Sequence, residues 1–134
     1  MSARAFKVTM SERCFRFKPD ALPSHAPQKP GVYEFVTFHD GKPEVLYVGL
    51  ALDGGTVFSK LSDHMMGKAE PTSAQLFAAA KDVYFDYVAD ADIQDLDDLK
   101  DIAGAFVRKN KPKFNEGQPV YASGKGEAEV QEVG

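Results

Sequence analysis

Two strand-patterned segments around an Asp-Gly pair, followed at once by an amphipathic helix, constrain this chain more than any other feature. Residues 30–64 contain Pro30-Gly31-Val32-Tyr33-Glu34-Phe35, then Asp40-Gly41, then Leu46-Tyr47-Val48-Gly49-Leu50-Ala51, and close on Lys60-Leu61-Ser62-Asp63-His64. Side chains alternate along a strand, so Val32, Glu34, Val36 and Phe38 share one face and Tyr33, Phe35 and Thr37 the other. Asp40-Gly41 supplies the positive φ that a tight hairpin turn demands. Residues 44–48 form the returning strand, and Gly49 ends it. His39 flanks the turn as a solvated residue.

The connection Ala51-Leu52-Asp53-Gly54-Gly55 lacks the Lys-Ser/Thr that follows a phosphate-cradling glycine loop and reads as a plain loop. A helix is expected over residues 56–66, with Thr56 or Ser59 as its cap. Val57, Phe58, Leu61 and Met65 make its apolar stripe, and Lys60 and His64, four residues apart, share a neighbouring polar stripe. A short helix over 73–80 with Ser73 as cap follows, then a third strand over 83–88 rich in β-formers. A long helix over 93–109 buries Leu96, Leu99, Ile102, Ala103, Phe106 and Val107 and turns Asp97, Asp98, Lys100, Asp101 and Arg108 to solvent.

The flanking parts are read from composition. Cys14-Phe15-Arg16-Phe17 alternates like a short strand, and Pro19, Pro23, Pro27 and Pro30 punctuate the loop after it, where His25 reads as solvated. Residues 1–29 are therefore an arm packing on a domain spanning 30–117. Residues 118–134, rich in Gly, Glu, Ser and Lys, read as a flexible tail unless Pro119, Val120 and Tyr121 add a last strand.

Charge and cysteine content narrow the function classes. A net charge of −4 and a pI near 5.3 disfavour a non-specific nucleic-acid coat. Arg108, Lys109, Lys111 and Lys113 nevertheless form a local basic knot where DNA could bind. The aspartates between Asp90 and Asp101 suit the start of a helix, and their spacing matches no EF-hand loop. Cys14 is the single cysteine, which excludes an intramolecular disulfide and a Cys-rich metal site. With no apolar leader and no membrane-length apolar run, no membrane partner and a cytoplasmic location are expected.

Gly31-Val32-Tyr33 and Tyr47-Val48-Gly49 resemble the paired tripeptides of the GIY-YIG nuclease family. Lys60 and His64 fall where that family carries an Arg followed four residues later by His or Tyr, and Asn110-Lys111-Pro112-Lys113-Phe114-Asn115 resembles its closing motif. The resemblance covers residues 30–115. It implies an α+β fold with a small three-stranded antiparallel sheet flanked by helices, in the order β-β-α-α-β-α. It also implies that Tyr33 or Tyr47 activates water or positions phosphate, that Lys60 holds the scissile phosphate, that His64 orients or deprotonates, and that Asn115 supports the site.

Two departures stand out. Lysine keeps the charge of arginine but loses the planar fork that grips phosphate in bidentate fashion. The family's metal-binding Glu, counted back from Asn115 by the usual interval, falls on Ala103, and no Glu occurs between Glu70 and Glu116. A hard divalent cation needs oxygen ligands and stabilises charge on the attacked phosphate. The expectation is a catalytically impaired GIY-YIG-like protein, with no cofactor, acting as a DNA-binding or regulatory module. Two alternatives stand beside it: an active endonuclease using Mg or Mn through a substitute carboxylate such as Asp98 or Asp101, and a domain that binds a protein partner through the old cleft or the acidic helix.

Overall fold

The computed structural model describes the chain except for residues 1–3, 12, 53, 91–92, 94, 126–127 and 134. The first three residues of the arm, Asp53 of the glycine-rich connection and Asp92 of the acidic run thus lie outside the described residues. In chain order the elements are β1 (Arg4–Thr9), β2 (Phe15–Arg16), the one-turn helix α1 (Leu22–His25), β3 (Gly31–His39), β4 (Lys42–Ala51), α2 (Val57–Met65), α3 (Ser73–Ala79), β5 (Tyr84–Tyr87), α4 (Leu96–Asn110), a 3-10 turn (Lys113–Asn115) and β6 (Ala128–Val133).

The fold is α+β. Strands β2, β5, β3 and β4 form an antiparallel sheet in that spatial order, and β1 and β6 pair in parallel as a separate ribbon. The expected three-stranded sheet gains a fourth strand, because Phe15 and Arg16 pair with Phe85 and Tyr84 and extend the sheet beyond β5. Asp40 and Gly41 take φ of 51° and 79° between the closing pair His39 and Lys42, the left-handed geometry that matches strand twist in a two-residue hairpin.

Strand β4 continues past Gly49 to Ala51, since Tyr33 pairs with Gly49 and Gly31 with Ala51. A bulge interrupts the ladder: Phe35 faces Tyr47, Val36 faces Val45, and Leu46 is the extra residue. Leu46 and Tyr47 consequently pack on the same side of the sheet. That side carries Tyr33, Phe35 and Phe85 against Val57 and Leu61 of α2 and Leu76 of α3. The other side carries Val32, Val48 and Val88 against Leu99, Ile102, Ala103 and Phe106 of α4 and Val8 of β1.

Local chemistry sets the helix ends. Thr56 caps α2 in a reciprocal box with Ser59. Thr72, rather than Ser73, caps α3 with Gln75, while the Ser73 hydroxyl donates to the Met65 carbonyl. Asp95 accepts from the amides of Asp97 and Asp98, so α4 starts at Leu96 instead of residue 93.

The segment after Gly117, expected as a flexible tail, is built into the fold. Tyr121 reaches Tyr47, Ser123 is clasped by Asp101, and β6 pairs with β1 from Arg4–Ala128 to Thr9–Val133. Gly104 permits this approach, because a Cβ there would collide with the Tyr121 carbonyl oxygen. Asp101, expected on the solvent face of α4, is only 4% exposed and accepts from the Ser123 amide at 3.0 Å and its hydroxyl at 2.6 Å. Composition missed this docking because only a few apolar residues, Tyr121, Ala128 and Val130, reach the core, and polar contacts such as Ser123 to Asp101 and the β1–β6 ladder supply the rest. Among the described residues, no helix is long and apolar enough to cross a membrane.

Candidate functional site

The hairpin and α2 bring Tyr33, Tyr47 and His64 together on the α2 side of the sheet. The His64 ring centroid lies 5.7 Å from that of Tyr33 and 5.5 Å from that of Tyr47, with Phe35 at 5.1 Å completing the cage. Gly49 makes the arrangement possible. It pairs directly with Tyr33, and a Cβ at position 49 would lie inside the Tyr33 ring. The glycine thus serves the tyrosine across the strand, and a turn is not its purpose.

His64 does not sit on a polar stripe: it is 1% exposed. Its Nδ1 lies 2.9 Å from the Pro71 carbonyl oxygen, an obligate acceptor, so Nδ1 carries the proton and Nε2 is free to accept. The Tyr33 hydroxyl, 2.7 Å away, donates to Nε2. Burial lowers the His64 pKa, helped by the positive charge of Lys60 one turn earlier and opposed by the Pro71 carbonyl. Burial likewise pushes the Tyr33 hydroxyl well above the ordinary tyrosine value, with Tyr47 and Tyr121 adding to the effect. Both partners are therefore neutral at neutral pH, and Tyr33, 1% exposed, presents no hydroxyl to solvent.

Tyr47 is half-buried, and its hydroxyl lies 3.2 Å from that of Tyr121. Burial raises the Tyr47 pKa, with the Tyr121 hydrogen bond pulling weakly the other way. Tyr121 also donates to the Val48 carbonyl at 3.2 Å. Asn115 grips the same residue at two points: its Oδ1 accepts from the Val48 amide at 2.8 Å and its Nδ2 donates to the Val48 carbonyl at 3.0 Å. Since β4 is an edge strand, Asn115 and Tyr121 satisfy backbone groups that an open edge would expose. The structure thus gathers Tyr33, Tyr47 and His64 and places Asn115 behind β4. Lys60 is half-buried on α2 beside this group.

His25 and His39 lie outside the cluster. His25 is exposed and stacks on Phe15 at 4.2 Å, and His39 is exposed and pairs with Glu44 at 2.6 Å. Arg108, Lys109, Lys111 and Lys113 are all exposed around the end of α4, where Arg108 also donates to the Ala128 carbonyl.

The residues present do not fit a divalent cation at the tyrosine–histidine group. Ala103 is fully buried among Val8, Val32, Val48 and Phe106, on the sheet face opposite Tyr33, and has no oxygen to offer. Both carboxylate oxygens of Asp101 are committed to Ser123. Among the described residues, no three His, Cys, Asp or Glu side chains converge as a cation site.

Sequence reasoning missed Tyr121, the Pro71 carbonyl and the structural role of Gly49. Only Gly49 had a local signal, a glycine directly opposite a tyrosine in the hairpin register. Comparisons with protein-family models, with curated proteins and with solved structures each find no match.

Proposed function

We propose that this chain is a GIY-YIG-like module that has lost metal-assisted cleavage and acts by binding, as a DNA-binding or regulatory module. The order strand, strand, helix, helix, strand, helix between residues 31 and 110 supports the family reading. The convergence of Tyr33, Tyr47 and His64 on one side of the hairpin supports it further. The observation that carries the loss of cleavage is the Tyr33 hydroxyl, sealed from solvent and donated to His64. A nucleophile-activating or phosphate-positioning hydroxyl has to reach its substrate, and this one is consumed inside the core.

The exposed cations around the end of α4 are the surface that would meet phosphate. DNA binding through them would weaken steeply with salt, because each neutralised phosphate releases counterion. The test incubates the protein with supercoiled DNA and Mg²⁺ or Mn²⁺ and, in parallel, measures DNA affinity across a salt series. The expected result is no nicking, salt-dependent binding, and a salt slope that falls by about 2 in Lys111→Glu/Lys113→Glu. Metal-dependent nicking abolished by Tyr33→Phe would overturn the loss of cleavage.

The net charge of −4 favours a second reading, a protein partner engaged through the acidic start of α4. Absence of DNA binding even at low salt selects it over the first.

A further inference from the structure

Glu34 lies on the α4 side of β3 and is 3% exposed, an unusual place for a carboxylate. Its direct cross-strand neighbour on β5 is another acid, Asp86. Glu34 Oε2 and Asp86 Oδ1 are both sealed from solvent with no donor among the described residues. The Cys14 thiol, 3.7 Å from Asp86 Oδ2, supplies one weak donor. Two adjacent buried carboxylates without a cation between them repel strongly, whereas one retained proton turns the pair into donor and acceptor.

The surroundings favour that retained proton. Burial raises Glu34 well above the ordinary carboxylate range and the charge of Asp86 raises it further; burial raises Asp86 too. Glu132 of β6 adds negative charge, and Lys109 of α4 opposes it only in part. Cys14, itself pushed up to about 12 by burial and by Asp86, stays a neutral thiol. Among the described residues, the groups that act on the pair from the packed elements are therefore Cys14, Glu132 and Lys109. The β1–β6 ribbon closes over this side: Val8 of β1 pairs with Glu132 and packs with Val32 and Val88, and Met10 bridges to Val88 just beyond Asp86.

We propose that Glu34 and Asp86 share one proton at neutral pH and act as a proton-sensitive latch that holds the β1–β6 ribbon against the sheet. The unfolded chain releases that proton near the ordinary carboxylate value of about 4. Above this value the folded state binds more protons than the unfolded one, so the latch's contribution fades as pH rises until Glu34 itself ionises. Ionisation leaves two buried negative charges beneath Glu132, and the ribbon is the layer that yields.

The test compares urea midpoints and residue-resolved hydrogen exchange of the full chain with those of Glu34→Gln, from about pH 5 to about pH 8.5. A Gln amide donates to Asp86 without a titrating proton. The folding constant of the wild type should fall relative to Glu34→Gln by up to about tenfold per pH unit over the acidic part of this range. Exchange protection of the β6 amides should drop with pH before that of β3, and only in the wild type. Parallel pH curves for the two proteins, or loss of protection in β3 and β6 together, would overturn the latch. Should Glu34→Gln fail to fold, Asp86→Asn removes the same charge pair and should show the same flattening. If neither folds, the infrared carbonyl band of a protonated carboxyl in the wild type at neutral pH decides, and its absence overturns the shared proton.

Discussion

Replacing Gly49 by alanine adds a single methyl group at the most crowded point of the tyrosine cluster. Gly49 is absent from the positive-φ residues, so the backbone accepts a side chain without strain. The cost comes from space alone, because the new Cβ would overlap the Tyr33 ring. That ring has no easy escape: it is fully buried between Phe35, Tyr47 and His64, and its hydroxyl is bound to His64. Overpacking of this kind costs about 1–3 kcal/mol. A ring displaced far enough to lose His64 adds about 1–3 kcal/mol for the buried nitrogen left without a donor. Urea denaturation should therefore show a loss of roughly 2–6 kcal/mol for Gly49→Ala. In a Tyr33→Ala background the same change should be nearly neutral, giving a coupling energy of comparable size between the two sites. A loss under about 1 kcal/mol, or additive effects in the cycle, would refute the claim that Gly49 exists to accommodate Tyr33.

Two further outcomes follow from the same geometry. Asn115→Ala leaves the Val48 amide without its side-chain acceptor, while the carbonyl keeps the Tyr121 hydroxyl, and should lower stability by about 1–3 kcal/mol, with amide exchange rising at Val48 itself. For His64, whose folded pKa is depressed, the unfolded chain binds the extra proton first. Its stabilising effect is therefore complete above the ordinary histidine value of about 6.5 and is lost as pH falls below it, a dependence that Tm measurements should find missing in His64→Gln.

How far the sequence reveals this molecule depends on how local the determining contacts are. Alternation along the hairpin sorts Tyr33 and Phe35 from Val32 and Glu34, and helical spacing correctly buries Leu99, Ile102, Ala103 and Phe106. Both patterns are read within one element. Alternation fails at Leu46, where the bulge places two successive residues on the same side, and nothing in the tripeptide Leu46-Tyr47-Val48 announces it. The i, i+4 spacing places His64 beside Lys60 but cannot reveal that the Pro71 loop and Tyr33 enclose it. Asp101 looks solvated until Ser123 folds back over it, and Glu34 looks like an ordinary strand acid until Asp86 pairs beside it. For His64, Asp101 and Glu34 the deciding partner is a polar group on another element or loop, so hydrophobic periodicity is blind to it.

The parallel ribbon joins the first described strand to the last, with Arg4 beside Ala128 and Thr9 beside Val133. Nearly the whole chain must be gathered before a single one of these pairs can form. Loop-closure entropy grows only slowly with length, so the ribbon is affordable in the finished protein, but contacts of such long range form late. During synthesis the antiparallel sheet and α4 can assemble while β1 waits without its partner. Completion of this fold thus waits on the emergence of β6, the strand that pairs β1 and carries Glu132 toward the buried acids of β3 and β5.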